Sequence, residues 1–418
     1  MHNSLELSID SEELAELIET LGRIGALPSG GLFRPVYGEA WQEAVAQLDQ
    51  WAQTRGLETR QDALGNLYAR LAGSVEHGAI VTGSHIDTVK SGGKFDGALG
   101  VIGGLLALAQ LKSRFGAPVH PIELVVFCEE EGSRFHANFL GSRAITGQLQ
   151  PEELEHITDS DGVSIATAMA RIGLDPTQVQ NARRDDVQAF IELHIEQGRV
   201  LQDHAQDIGI VHTITGIQHL ELTVTGRVDH AGTTPMDLRR DPGLAAAEMM
   251  LSAARAAQLA GPPAVATIGQ FNLTPGAINI VPGTAHFTLD ARHPDAARLH
   301  QLVRSFELES FDIAERRQVA LSVNRLVEVA PAPMDPRLIA VLRTAAETCG
   351  LDARDMVSGA GHDAQIMARS FPSAMIFVPS RDGRSHCPEE LTTGKDALRG
   401  IEMLAETLRA LAYSPAPR

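Results

Sequence analysis

Four short stretches, 79–81, 122–127, 189–195 and 374–378, are apolar almost throughout, and they interleave with helical patterns at 40–56, 99–114, 338–349 and 397–412. A strand that is apolar on both faces is stable only where both faces are covered, so these runs imply an α/β domain whose sheet is flanked by helices. The middle of the chain obeys a different rule. Residues 219–226 alternate Leu220, Leu222 and Val224 with Glu221, Thr223 and Thr225, and 284–290 alternate through Ala285, Phe287 and Leu289. Period-two alternation marks strands with one covered and one wet face. With an alanine-rich helix at 243–260 and another at 294–307, the order strand–helix–strand–strand–helix–strand implies a small inserted α+β module. The expected division is 1–214 for the first part of the main domain, 215–328 for the insertion and 329–418 for the second part, with the prolines of 331–336 marking the return.

Charge and cysteine content narrow the function classes. The formal charge is −18 and aromatics make up 4% of residues, so neither a polyanion-binding surface nor a base-stacking platform is expected, and nucleic acid is excluded as a partner. No stretch approaches the about 20 apolar residues that span a bilayer, so no membrane partner is expected. The N-terminal segment is acidic and helix-like, without the pattern of a secretory signal. Cys128, Cys349 and Cys387 are odd in number and widely separated, which fits a reducing, cytoplasmic setting. The glycines of 97–104 lack the position and spacing of a dinucleotide loop.

Residues with metal-ligand chemistry gather where the apolar runs end. The first run leads into Gly83-Ser84-His85-Ile86-Asp87-Thr88, with Lys94-Phe95-Asp96-Gly97 following; the second leads into Glu129-Glu130-Glu131-Gly132. The third carries His194 before Glu196-Gln197-Gly198, and Arg384-Ser385-His386 follows the fourth. Ligands of open α/β sheets collect at the carboxyl ends of strands. Imidazole and carboxylate suit zinc or manganese. One such histidine would more often be a solvated or core residue; four strand ends with the same chemistry point to a metal centre.

These motifs, GSHIDTVKSGGKFDGALGV, EEEGSRF, ELHIEQG, DHAGTTPM, SGAGHDAQ and RSHCPEE, resemble the hydantoinase/carbamoylase family of dinuclear metallohydrolases, which includes N-carbamoyl-L-amino-acid hydrolases, allantoate amidohydrolases and β-ureidopropionases. The resemblance runs from about Gly22 to Leu411. It implies a metallopeptidase-like catalytic domain with a mixed sheet flanked by helices, plus a smaller ferredoxin-like lid and dimerisation domain. It also implies two divalent metal ions per subunit: zinc or manganese, with cobalt or nickel as further candidates. By the family pattern Asp96 bridges the metals, His85 and His194 complete one site, and Glu131 and His386 the other. Glu130 is the general base, with a one-residue register ambiguity left by Glu129, and Asp87 orients His85 through its second ring nitrogen.

The resemblance further assigns His230 to the oxyanion, acting across a homodimer interface, and Gln197, Asn279, Arg292, Gly361 and His362 to substrate contact. Asp290 and Arg292 share a strand face, so a guanidinium fork for a small-molecule carboxylate substrate competes with a simple ion pair between the two. The activity implied is hydrolysis of a ureido or carbamoyl C–N bond, releasing ammonia and carbon dioxide. An aminoacylase or dipeptidase acting on a plain amide is the alternative, and a non-catalytic binding protein is disfavoured because every expected group is present. Cys387, His219 and Phe33 depart from residues common in relatives, which leaves the substrate's side chain open.

Overall fold

The computed structural model describes residues 9–413; the first eight residues of the helix-like N-terminal segment lie outside them. Packing divides the chain into one unit of 1–212 with 333–418 and a second of 213–332, against expected boundaries at 215 and 328.

The first unit opens with strands β1 (Glu58–Gln61), β2 (Leu67–Leu71), β3 (Ala79–His85), β4 (Ile122–Phe127), β5 (Val187–Ile195) and β6 (Ile208–Ile214). The second unit holds β7 (Gly216–Thr225), β8 (Asp229–His230), β9 (Val265–Thr267), β10 (Phe271–Thr274), β11 (Ile280–Val281), β12 (Thr284–His293) and β13 (Ala320–Val329). The chain returns through β14 (Ala332–Pro333), β15 (Ala353–Ser358) and β16 (Ser373–Val378).

The main sheet runs β1-β2-β4-β3-β5-β16-β6-β14, with β15 pairing with β6. Its centre is parallel: β4 and β5 flank β3, and β16 follows β5. Both margins are antiparallel, so the sheet is mixed. Every residue of β3, β4 and β16 is buried, as a sheet covered on both faces requires. The helix Ala98–Phe115 is long and apolar enough to cross a bilayer, yet 67% of it is buried inside the fold, packed on β3, β4, β5 and the helix Gly394–Ala412. Its apolarity belongs to the core.

In the second unit β10, β12, β7 and β13 form a sheet, with β9 on β12. The alternation seen in the sequence becomes alternate burial along β7 and β12. Their covered face packs Leu220, Leu222, Val224 and Phe287 against Met249, Leu302 and Phe306 of the helices Pro242–Ala260 and Ala296–Arg317. Asp241 and Asp295 cap those helices by accepting hydrogen bonds from first-turn amides. The second helix runs ten residues beyond the expected end at 307.

Candidate metal centre

His85 is the last residue of β3, and His194 is the penultimate residue of β5. Asp96 sits in the loop before the helix Ala98–Phe115, where Gly97 takes φ +63; a Cβ there would stand 2.6 Å from Nε2 of His85. Glycine is thus required for the Asp96 loop to close on the histidine. Glu130 and Glu131 follow β4 after Cys128 and Glu129. His386 lies eight residues beyond β16, past a turn, rather than at the strand end itself.

The loops converge on Asp96. Its Oδ1 lies 3.1 Å from Nε2 of His194 and 3.8 Å from Nε2 of His85, while Oδ2 lies 3.1 Å from Nε2 of His386. His386 is also 3.6 Å from Glu131, and His85 is 3.8 Å from Glu130. Three sets, His85–Asp96–His194, Asp96–Glu131–His386 and His85–Glu130–Glu131, each offer ligand atoms within 4.8 Å of one another.

The ring tautomers show what the cluster is built to hold. Nδ1 of His85 meets the carbonyl of Asp87 at 3.0 Å, and Nδ1 of His194 meets that of Ile195 at 2.9 Å. A carbonyl can only accept, so Nδ1 carries the hydrogen and, in the neutral ring, Nε2 presents a lone pair. In His194 that Nε2 is buried, makes no hydrogen bond, and still lies 3.1 Å from a carboxylate oxygen. Lone pairs facing lone pairs repel; a cation between them turns every one of those contacts attractive, so the residues fit divalent metal ions.

The electrostatics agree. Burial, then Asp96, pushes Glu131 up to about 8, and burial, then Glu131, pushes Glu130 well above the usual carboxylate range. His386 rises to about 9 because its hydrogen bond with Asp96 outweighs burial. Asp96 itself is held low: burial pushes it up, but the imidazoles of His194 and His386 beside it prevail. Such concentrated negative charge is costly to bury without a counter-cation.

Two expectations need correction or refinement. The main-chain carbonyl of Asp87, not its carboxylate, lies at hydrogen-bond distance from His85. The Asp87 carboxylate is 3.6 Å from that ring and accepts hydrogen bonds from the backbone amides of Glu130 and Glu131 instead. Among the three glutamates, Glu129 (φ +54) turns away and accepts from the amides of Arg134 and Phe135. The pair facing the histidines is Glu130 and Glu131.

Gln197 donates through Nε2 to Asp96 at 3.0 Å and to Ser385 at 3.2 Å. His362 is buried, with its ring 4.5 Å from that of His194 and Nε2 at 2.9 Å from the Ser358 hydroxyl. Gly361 approaches Phe139 so closely that a Cβ would stand 2.9 Å from its ring. Sequence reasoning assigned no role to Ser385, to Glu390 or to the buried Glu192, which accepts from the Ser84 hydroxyl and the Ala364 amide. A lone acid inside the apolar run of β5 was the available signal for Glu192.

The remaining candidates belong to the second unit. His230 is exposed on β8, which pairs with β11 through Ile280. Its Nδ1 accepts from the amides of Gly232 and Thr233 at 3.1 and 3.2 Å, so Nε2 carries the hydrogen and points outward as a donor. Asn279 accepts the Ala231 amide through its backbone carbonyl at 3.0 Å, which places it beside His230. Arg292 forks onto Asp290, with Nη2 at 2.7 Å, and His219 lies 3.3 Å from the same carboxylate. The ion pair weighed against a substrate fork is therefore formed. Burial pushes Asp290 up, but hydrogen bonds from His219 and Arg292 hold it well below its ordinary value.

Comparison with known proteins gives the family. Residues 81–410 match the model of peptidase family M20/M25/M40. The chain is 40% identical over 403 residues to an allantoate amidohydrolase of Escherichia coli strain K12, covering 96% of this chain and 98% of that protein. It is 39% identical over 404 residues to an N-carbamoyl-L-amino-acid amidohydrolase of Paenarthrobacter aurescens, covering 96% and 98%. A crystal structure of a hydantoinase/carbamoylase family amidase from Burkholderia multivorans superposes with a TM-score of 0.93 at 34% identity, covering 98% of this chain and all of that one. The chain belongs to peptidase family M20/M25/M40 and, by its nearly full-length likeness to these amidohydrolases, to the hydantoinase/carbamoylase amidases.

Proposed function

We propose that the chain is a metal-dependent amidohydrolase that cleaves the ureido or carbamoyl C–N bond of an N-carbamoyl-L-amino acid or an allantoate-like substrate. One water is consumed, and the amine, ammonia and carbon dioxide are released. The observation that carries this reading is Asp96, whose two oxygens face different histidines, His194 on one side and His386 on the other. Two divalent ions held by His85, His194, Asp96, Glu131 and His386 would supply a water acidified to a nucleophile near neutral pH and polarise the carbonyl under attack. Zinc and manganese are the ions this donor set favours, with cobalt and nickel as substitutes.

The protein's own groups divide the remaining work. Glu130 accepts the proton of the attacking water and returns it to the departing nitrogen. The outward Nε2–H of His230 donates to the oxyanion as the carbonyl becomes tetrahedral, supplied from the partner chain of a homodimer. Arg292 exchanges Asp290 for the substrate carboxylate, and Asn279, Gln197, Gly361 and His362 line the substrate's path. The inserted unit acts as a lid that closes before chemistry.

A plain-amide activity is the second reading, favoured by the peptidase description of the matching family. A panel of allantoate, N-carbamoyl-L-amino acids, N-acetyl amino acids and dipeptides, offered to metal-restored protein, separates the two. Ammonia release from a ureido compound supports the proposal. Amine release from acyl amino acids or dipeptides, without ammonia release, refutes it in favour of the second reading.

A further inference from the structure

Asp96 and His386 are separated by almost the whole catalytic unit in sequence, so something must fix the loops that carry them against each other. Glu390 touches both. Only 3% of it is exposed. Its Oε1 accepts hydrogen bonds from the backbone amides of Phe95 and Asp96 at 2.9 and 3.0 Å, and its Oε2 accepts from the Ser385 hydroxyl at 2.8 Å. The loop before Asp96 is shaped around this carboxylate: a Cβ on Gly93 would stand 2.1 Å from Oε1.

We infer that Glu390 is a positioning residue for the metal centre, locking the Asp96 loop to the His386 segment so that the two ligands keep the spacing a cation needs. This rests on the reading of Asp96 and His386 as metal ligands.

Donor and acceptor accounting explains why the residue is a carboxylate. Ser385 has one hydrogen, and its shortest contact is with Glu390; the longer contact with Oδ2 of Asp96, 3.2 Å, then goes without it. Gln197 supplies both neighbours instead, giving one amide hydrogen to Asp96 and the other to Ser385. The chain of donation therefore runs from Gln197 through Ser385 to Glu390, and Asp96 is spared the Ser385 proton. An amide at 390 could still accept from Phe95 and Asp96, but its NH₂ group cannot accept from Ser385. It would donate to Ser385 and turn the hydroxyl proton onto Asp96, where it competes with a cation for Oδ2. A carboxylate is the one side chain of this length that accepts on both sides, which accounts for burying a second negative charge beside Asp96 despite its cost.

The test compares wild type, Glu390→Gln and Ser385→Ala. Each is stripped with chelator, titrated with Mn²⁺ by calorimetry and with Co²⁺ by visible absorption, and unfolded in urea without metal as a control for the fold. Substituting groups that orient metal ligands weakens binding by about 10–100-fold. Both variants should show that loss in one of two binding steps, with an altered Co²⁺ spectrum, and the loss should exceed any change in metal-free unfolding midpoint. Wild-type affinities and spectra in both variants would overturn the proposal, as would an equal loss in both steps that tracks a lowered midpoint. Wild-type protein that takes up no metal would instead refute the metal reading on which the inference stands.

Discussion

Stripping the metals should make the protein's stability depend on pH in a direction the cluster itself dictates. Glu131 ordinarily titrates at 4.5 and is pushed to about 8 by burial first and Asp96 second. His386 moves the same way, to about 9, through its hydrogen bond with Asp96 against the opposing effect of burial. A folded value raised above the unfolded one contributes stability that is fully present below the unfolded value and is lost as pH rises through the folded value. The metal-free protein should therefore weaken from about pH 4.5 to about pH 8 through Glu131, and onward to about pH 9 through His386. For Glu131 the gap, at about 1.4 kcal/mol per pH unit, sets a ceiling of about 5 kcal/mol. Water entering the bare site and local relaxation reduce that, and a loss of about 2 kcal/mol between about pH 5.5 and 8 is expected. Metal ligation needs these groups deprotonated, so the loaded protein should hold or gain stability over the same range. Urea unfolding of chelated and metal-restored protein at several pH values measures both trends. Parallel curves would refute the reasoning, because they would mean that the carboxylates and His386 feel no cation.

Three substitutions probe the assigned roles. Glu130→Gln should bind metal as wild type does, by calorimetry, and lose about 10²–10⁴-fold in kcat; unchanged turnover would remove Glu130 as the base. Arg292→Ala removes a charged fork worth about 1.5–3 kcal/mol, so kcat/KM should fall about 10–100-fold for carboxylate substrates and hold for an uncharged analogue. An equal loss on both would count against the fork. His230→Ala should lower kcat by about 10²–10³-fold, and mixing it with Glu130→Gln should restore activity if His230 serves the partner's site. Mixtures as inactive as their components would contradict that arrangement.

The sequence reading succeeded where one physical demand dominates a segment. Complete burial made 122–127 legible residue for residue as β4, and one-sided burial did the same for the alternation of β7 and β12. The helix Ala296–Arg317 was read too short because its second half, Leu308–Arg317, mixes exposed Leu308 and Phe311 with charges, so its core stripe of Ser310, Ile313 and Ala314 is faint. Strand β13, the closing strand of the expected order, could not be given bounds because its side chains are exposed or only half-buried, and no apolar face writes itself into the pattern. In the candidate metal centre the residue types were legible, since ligand chemistry restricts them to histidine and carboxylate, and so were the ends of β3 and β5 that carry His85 and His194; His386, past a turn beyond β16, was not placed by a strand end. Hydrogen-bond direction was not. That Asp87 uses its carbonyl toward His85 and its carboxylate toward Glu130 and Glu131, or that Glu390 reaches back to Phe95 and Asp96, depends on how loops far apart in sequence meet.

Restoring metal stepwise to chelated protein, while following ammonia release from a ureido substrate, joins the cluster geometry to the chemistry in one curve. Turnover should be absent without metal and should rise with added manganese or zinc until two ions are bound per chain. Full ammonia release from metal-free protein, or no recovery after two ions have bound, would contradict a hydrolase built around Asp96.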